Sequence, residues 1–352
     1  MRVALMCGIT VVVVATLGLV PTLGQEALQI YFVDVEGGQA TLVVSPSGES
    51  LLIDSGFPGE RDAGRIAAAA ADAGVEQIDY HMVTHLHGDH LGSTPVLVTK
   101  LPILNYVDVG TPVEPKSQST GAYEAYATVR RNGHHILARA GDSIPVDGLD
   151  VQIVIAGGSA LTEPLPGAGE PNSLCEGVTL LPRDDSEDAR SVGVVIRHGN
   201  FSMVDLGDLT WNKEHDLACP DNMVGTVDLY LSTRHGLNGA GLPALVQALK
   251  PRVSVINNGA TKGASPEHFL TIRQSPGLED IWQLHYSMPR NGIPQLYETS
   301  RPGGPDLNTS EPLIANLDDT SAHYLKLTAR ADGSFMLLNP RNGYTKEYPR
   351  RR

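Results

Sequence analysis

The stretch THLHGDH, Thr84 to His90, places three of the chain's twelve histidines and an aspartate within a few residues of one another. It follows directly on the apolar, strand-like run from Ile78 to Val83. Each buried imidazole nitrogen needs a hydrogen-bond partner, so a packed core has no use for such crowding, and the cluster reads as a ligand site. In His85-x-His87 the two rings project to one side of an extended segment and can share one cation. Gly88 permits the sharp turn that aims Asp89 and His90 differently, so the spacing suits two adjacent metal ions better than one. A neutral imidazole prefers zinc or a similar first-row ion, and a carboxylate between two cations offsets their repulsion.

Upstream of the cluster, Leu28 to Val35, Ala40 to Val44 and Leu51 to Asp54 read as strands bounded by glycine, serine or proline. The Ala-rich segment from Glu60 reads as a helix closed by Gly74. Downstream, a helix is expected near Gly121 to Arg131 and a strand at Val151 to Ile155, with a glycine- and proline-rich loop from Gly157 to Pro182. Ser191 to Arg197 and Phe201 to Asp205 flank His198-Gly199-Asn200 as a hairpin. Helices from Thr210, at Pro243 to Leu249 and at Pro266 to Arg273 then alternate with strands at Val227 to Leu231, Val253 to Asn257 and Ile281 to Tyr286. A second irregular stretch, Pro289 to Leu317, precedes a terminal hairpin of Tyr324 to Thr328 with Phe335 to Leu338. Strand pairs in each half with helices between them predict an α/β fold, an αββα sandwich of two mixed β-sheets with helices on the outer faces.

Two later segments repeat the pattern of an apolar strand running into a polar, glycine-flanked tip: Leu206-Gly207-Asp208 and Ser232-Thr233-Arg234-His235-Gly236. Taken singly, Asp208 also reads as the N-cap of the helix from Thr210, and His235 as an ordinary surface histidine. Joined to the first cluster, both read as metal ligands.

The first 24 residues carry one basic side chain, an apolar run through Val20 and the small-residue ending Thr22-Leu23-Gly24. That is the pattern of a cleavable secretory signal, with an uncleaved anchor as the alternative, and it leaves residues 25–352 as the working domain. Cys7 lies in this leader, so Cys175 and Cys219 are expected to pair in an exported, secreted or periplasmic protein; two buried thiols are the alternative. The formal net charge is −14, and so acidic a surface repels polyanions, which disfavours nucleic acid as a partner. No segment after the leader is apolar for long enough to cross a bilayer, and no stable membrane association is expected after its removal.

His85-Leu86-His87-Gly88-Asp89-His90, Gly207-Asp208 and His235-Gly236, in that order, resemble the metallo-β-lactamase superfamily with its H-x-H-x-D-H signature, and Ile53-Asp54-Ser55-Gly56 resembles the strand and turn before that signature. Within the superfamily, Phe32 to Ala40, Glu187 to Ser191 and Asn257-Asn258 with Ser265-Pro266-Glu267 are most similar to the branch containing the hydrolase domain of DNA-uptake competence proteins. The chain departs from that branch at Arg234, where a histidine is usual, and in the later loop, which lacks its histidine. By order along the chain, Asp188 takes the place of the third histidine ligand of the first ion.

The resemblance implies two divalent ions, zinc first, with manganese or iron as alternatives where Asp188 enters the set. Their ligands would be His85, His87, Asp89, His90, Asp188, Asp208 and His235. It also implies hydrolysis of an ester, phosphodiester or lactam bond of a small-molecule or short-chain substrate by a hydroxide bridging the ions, with Asp89 orienting it. Asp34 and Asp54 are expected behind the ligands, each fixing a histidine tautomer; a strand-end turn is the alternative for Asp34. His81, His198, His215, His268, His285 and His323 show no ligand spacing and are read as ordinary residues. The competing reading is a metal-stabilised binding module of the same fold that has lost catalysis.

Overall fold

The structure, a computed structural model, describes residues 27–114, 120–288, 307–320 and 322–351. The expected secretory leader and most of the second irregular stretch lie outside these residues. The first half of the chain lays down β1 (Leu28–Phe32), β2 (Thr41–Val44), β3 (Ser50–Ile53), β4 (Ile78–Met82), β5 (Ile103–Asp108) and β6 (His134–Leu137). Interspersed are α1 (Glu60–Ala73), the one-turn helices α2 (Gly88–Leu91) and α3 (Thr94–Leu97), and α4 (Thr120–Arg130). The second half forms β7 (Asp150–Ala156), β8 (Ser159–Ala160), β9 (Gly193–His198), β10 (Phe201–Asp205), β11 (Leu229–Leu231), β12 (Val253–Ile256), β13 (Asp280–His285) and β14 (Ile314–Asn316). It carries α5 (Trp211–Ala218), α6 (Pro243–Leu249) and α7 (Pro266–Arg273). The chain then returns to the first sheet through β15 (Leu325–Ala329), β16 (Phe335–Asn339) and β17 (Tyr344–Tyr348).

Among the described residues the strand orders are β17-β16-β15-β1-β2-β3-β4-β5-β6 and β14-β13-β12-β11-β10-β9-β7-β8. Both sheets are mixed: β3 through β6 run parallel, as do β10 through β14, while the remaining pairs are antiparallel. The expected sandwich class is the observed one. Side-chain alternation in the second sheet shows how it is built. Val194, Ile196, Phe201, Met203, Leu229, Leu231, Val253 and Val255 join the core shared with the first sheet. Their sequence neighbours Val195, Val204, Tyr230 and Ile256 turn to the opposite face, where α5, α6 and α7 cover them. β17 is tied across the sandwich by Trp282 Nε1, which donates to Tyr348 Oη at 2.9 Å.

Five strands lie outside the expected ones: β5, β6 and β17, the two-residue β8 within the glycine- and proline-rich loop, and β14 within the second irregular stretch. Their composition explains this: β6 and β17 are polar strands with mostly exposed side chains, β14 has three residues, and β5 (ILNYVD) keeps no period of two.

Parallel pairing fixes where the site must lie. β3, β4, β10, β11 and β12 all end at one edge of the sandwich, and β9, antiparallel to β10, begins there, with Val194 opposite Asp205. The expected ligand segments sit on these ends.

Candidate metal centre

The chain leaves β4 at Thr84, whose N–H and Oγ1 donate to the two carboxylate oxygens of Asp54, each at 2.7 Å. Leu86 is buried in the core shared by the sheets, and its anchoring turns His85 and His87 to the other side. α2 then presents Asp89 and His90. His90 Nδ1 lies 2.7 Å from Asp54 Oδ2, an arrangement that holds the ring with Nε2 facing the centre. Asp54 itself sits at φ 58°, a left-handed conformation that an aspartate tolerates better than most side chains.

The other segments arrive by tight turns. Asp188 opens a single 3₁₀ turn, Asp188–Arg190, just before β9. Asp208 follows Gly207, whose φ is 56° and whose missing Cβ would lie 2.6 Å from Thr84 Cβ. Only glycine lets the two ligand loops approach this closely. The residue at the N-cap of α5 is Thr210, so Asp208 does not have the capping role considered for it. His235 sits between Arg234 at φ 54° and Gly236 at φ 77°, itself at φ 55°. Two consecutive non-glycine residues in the left-handed region cost about 1–2 kcal/mol each, strain that turns a fully buried imidazole inward.

These seven side chains form two adjoining groups. In the first, His85 Nε2 is 3.0 Å from His87 Nδ1, and Asp188 Oδ1 lies 3.3 Å and 3.0 Å from those nitrogens. In the second, Asp208 Oδ1 is 3.4 Å from His90 Nε2 and 3.3 Å from His235 Nε2, while Asp89 Oδ2 is 3.7 Å from both rings. His85, His90 and Asp208 also come within one ligand span, which places Asp208 between the groups. Four donors about 2.0–2.1 Å from a tetrahedral zinc stand about 3.3 Å apart, and the spacings here bracket that value. Among the described residues, His90 Nε2, both ring nitrogens of His235, Asp188 Oδ1 and Asp208 Oδ1 are buried without a hydrogen bond. Burying such atoms unpaired is costly, and shared cations would satisfy all of them but Nδ1 of His235, whose Nε2 is the nitrogen that faces the centre. The donor set fits divalent metal.

The electrostatics agree in sign. Burial opposes ionisation of Asp208 and Asp89, yet His235 and His90 hold Asp208, and His90, Lys262 and His235 hold Asp89, well below the usual carboxylate range. Burial lowers His87, but Asp188 and Glu114 outweigh it and lift it to about 9. His90 rises against burial under Asp208, Asp54 and Asp89. His85 is lowered by burial and by its neighbour His90. Protons on imidazoles here offset carboxylate charge, so metal uptake would release them.

Three residues that the sequence reading did not assign complete the surroundings. Glu114 Oε2 lies 3.2 Å from His87 Nε2, and its Oε1 accepts from Glu187 N–H at 3.1 Å. Lys262, from the loop after β12, pairs with Asp89 Oδ2. Arg234 Nη2 lies 2.6 Å from Asp188 Oδ2. Lys262 did carry a signal, since Gly259 to Gly263 is another charged, glycine-flanked tip after an apolar strand.

Two expectations need correction. Asp34 does not stand behind a candidate ligand: its Oδ1 lies 2.7 Å from His285 Nε2, and Arg65 Nη1 donates to its Oδ2 at 2.9 Å. His285 is therefore no ordinary histidine but a fully buried one, close to Glu36 as well. β1 and β13 bring Asp34 and His285 together from opposite sheets, a pairing that spacing along the chain cannot show. His81 and His268 are core histidines, held by Leu52 O and Thr94 and by Tyr230 and Leu237 O. Cys175 and Cys219 form a disulfide.

A family model described as "Metallo-beta-lactamase superfamily" matches residues 33–170. No curated protein matches the chain. Solved structures similar to it include the metallo-beta-lactamase fold protein YhfI from Bacillus subtilis, at 10% identity over 73% of this chain and 96% of that one, TM-score 0.45. CmlA, a diiron beta-hydroxylase from Streptomyces venezuelae, is 17% identical over 65% of this chain and 44% of its own length, TM-score 0.36. MEM-A1, a subclass B3 metallo-beta-lactamase from a soil metagenome library, is 15% identical over 58% of this chain and 76% of that one, TM-score 0.36.

Proposed function

We propose that this chain is a member of the metallo-β-lactamase superfamily, a reading that the match of residues 33–170 to that family's model supports, and that it is an exported hydrolase dependent on two divalent ions, zinc first, with manganese or iron as alternatives. The observation that carries the proposal is the convergence of buried, unpaired ligand atoms from four separated segments at spacings suited to metal coordination. His85, His87 and Asp188 would hold one ion; Asp89, His90 and His235 the other, with Asp208 between them.

When bound, such ions acidify water to a nucleophile near neutral pH and stabilise charge that builds on the substrate. The chain's own contribution is orientation. Asp54 fixes the His90 ring, Glu114 contacts the outer nitrogen of His87, and Asp89, at the partly open side, is placed to align the attacking water. Small molecules or short chains carrying a phosphodiester or lactam bond are the leading substrates, since the acidic surface disfavours long polyanions. The leader and the disulfide support a secreted or periplasmic location, and among the described residues no helix is long and apolar enough to cross a membrane. The short segments similar to the competence-protein branch support kinship with it, while Arg234 and the loop without histidine separate the two.

The test is metal counting on purified protein together with turnover of a chromogenic phosphodiester and a chromogenic cephalosporin, with and without chelator. The expected outcome is about two ions per chain and chelator-sensitive turnover of one substrate, lost in His87→Ala. Chelator-insensitive turnover would overturn the mechanism. One observation favours a second reading, a binding module without catalysis: Arg234 occupies the outer oxygen of Asp188. Wild type holding one ion or none, with no turnover, is the result that reading expects.

A further inference from the structure

We propose that Arg234 and Lys262 form a two-cation clamp for an anionic oxygen group of the substrate, one cation beside each ion position, their carboxylate partners Asp188 and Asp89 being drawn to the ions when metal is bound. The inference deepens the hydrolase reading and rests on it.

In a chain with 40 acidic and 26 basic residues, two cations at the mouth of one site are against the general charge. Neither is held by chance contacts of a free surface chain. Lys262 projects from a loop whose backbone is fixed by close packing: a Cβ on Gly259 would lie 2.5 Å from the Glu36 carbonyl carbon and oxygen, and one on Gly263 2.2 Å from the His235 carbonyl oxygen. Its stem lies against Gly37, and its Nζ is 5.6 Å from the centre of the Phe57 ring. Arg234 is aimed by the strained left-handed turn that also places His235. Both side chains keep an open side toward solvent, 27% exposed for Lys262 and 30% for Arg234, so a ligand can reach them.

Each cation now pairs with a carboxylate that also faces the histidines. Asp188 turns Oδ1 to His85 and His87 and Oδ2 to Arg234, while Asp89 turns Oδ2 to His90, His235 and Lys262. Two divalent ions bring four positive charges, which the three carboxylates of Asp89, Asp188 and Asp208 and a bound hydroxide would offset, leaving the charges of Arg234 and Lys262 uncompensated. The guanidinium and ammonium groups would then face like charge at close range, with their former partners engaged. An oxyanion of the substrate, phosphoryl or carboxylate, restores the balance. Arg234 suits it as a planar fork and Lys262 as a point charge.

The test uses the chain from residue 25 to 352, and two readouts besides turnover. Zinc uptake is titrated against a competing chromogenic chelator, and binding of inorganic phosphate and of acetate to the zinc-loaded protein is measured by calorimetry. Lys262→Gln is expected to take up zinc at least as tightly as wild type, because its competitor for Asp89 Oδ2 is gone, and Arg234→Gln about as tightly, because Arg234 holds the oxygen of Asp188 that faces away from the histidines; both are expected to bind the anion about tenfold more weakly or worse. Lys262→Arg, which keeps the charge, retains most of the affinity. Stronger loss for phosphate than for acetate assigns a phosphoryl group, and the reverse a carboxylate. Anion affinity unchanged in both glutamine variants at full zinc loading would overturn the clamp and leave the hydrolase reading intact. Loss in Lys262→Arg equal to that in Lys262→Gln would also overturn it. Failure of wild type to bind zinc would instead defeat the hydrolase reading itself.

Discussion

Asp205 illustrates how a single buried carboxyl sets the chemistry of a strand end. It closes β10 inside the sandwich, where its Oδ1 accepts from Gly207 N–H at 3.0 Å and its Oδ2 from Gln39 Nε2 at 2.8 Å. Burial outweighs both bonds and raises the group from 3.8 to about 7. With the folded pKa above the unfolded one, its contribution to stability is full below pH 3.8 and is lost as pH rises through about 7. Asp205→Asn removes that titration. The new amide is accommodated if Gln39 turns its own amide over, and Asn257, which donates to Gln39 and whose Oδ1 is otherwise unpaired, turns with it. In chelator, the stability of the variant relative to wild type is therefore expected to increase between pH 4.5 and pH 8, as read from urea midpoints. Equal differences at the two pH values would contradict a buried, protonated Asp205.

At the scale of elements, the site depends on how closely the tips of β4 and β10 approach. Gly207 faces Thr84 with no room for a Cβ, and its positive φ adds a second penalty for any other residue. Thr84 in turn holds Asp54, which holds His90. Gly207→Ala is expected to cost about 1–3 kcal/mol in unfolding free energy and to weaken zinc uptake as well, because Asp208 and His90 shift together. An alanine variant with unchanged zinc affinity would show that the two tips are not coupled. A surface glycine with open space around it, Gly48, is the natural control for glycine replacement at positive φ.

Across the whole molecule, the disulfide joins the long loop after β8 to the C-cap of α5, its cysteines 44 positions apart in sequence. The same loop is strapped to the start of α5 by Trp211 Nε1, which donates to Thr179 O, and by Asn212 on Leu181 and Pro182. It then leads into Asp188. Loop-closure entropy alone assigns the cross-link about 4 kcal/mol. Cys219→Ser, or reduction, is expected to lower the thermal midpoint and to weaken the zinc held by His85, His87 and Asp188. Zinc affinity unaltered by reduction would mean that the shorter segment near Glu187 positions Asp188 on its own.

The sandwich class and the segments carrying the seven candidate ligands were legible along the chain because they depend on local features. Alternation marks strands that are buried on one or both faces, and glycine marks the tips where chemistry-bearing residues leave them. Polar edge strands such as β17, with no apolar face to display, stayed silent. What only the tertiary structure decided is pairing. Asp34 meets His285 across 251 positions, and Lys262 meets Asp89 across 173. Arg234 turns to Asp188, and Glu114 to His87. Such contacts follow from which strand ends the two sheets bring to one edge, and a charge satisfied over so great a chain separation leaves no period in the sequence.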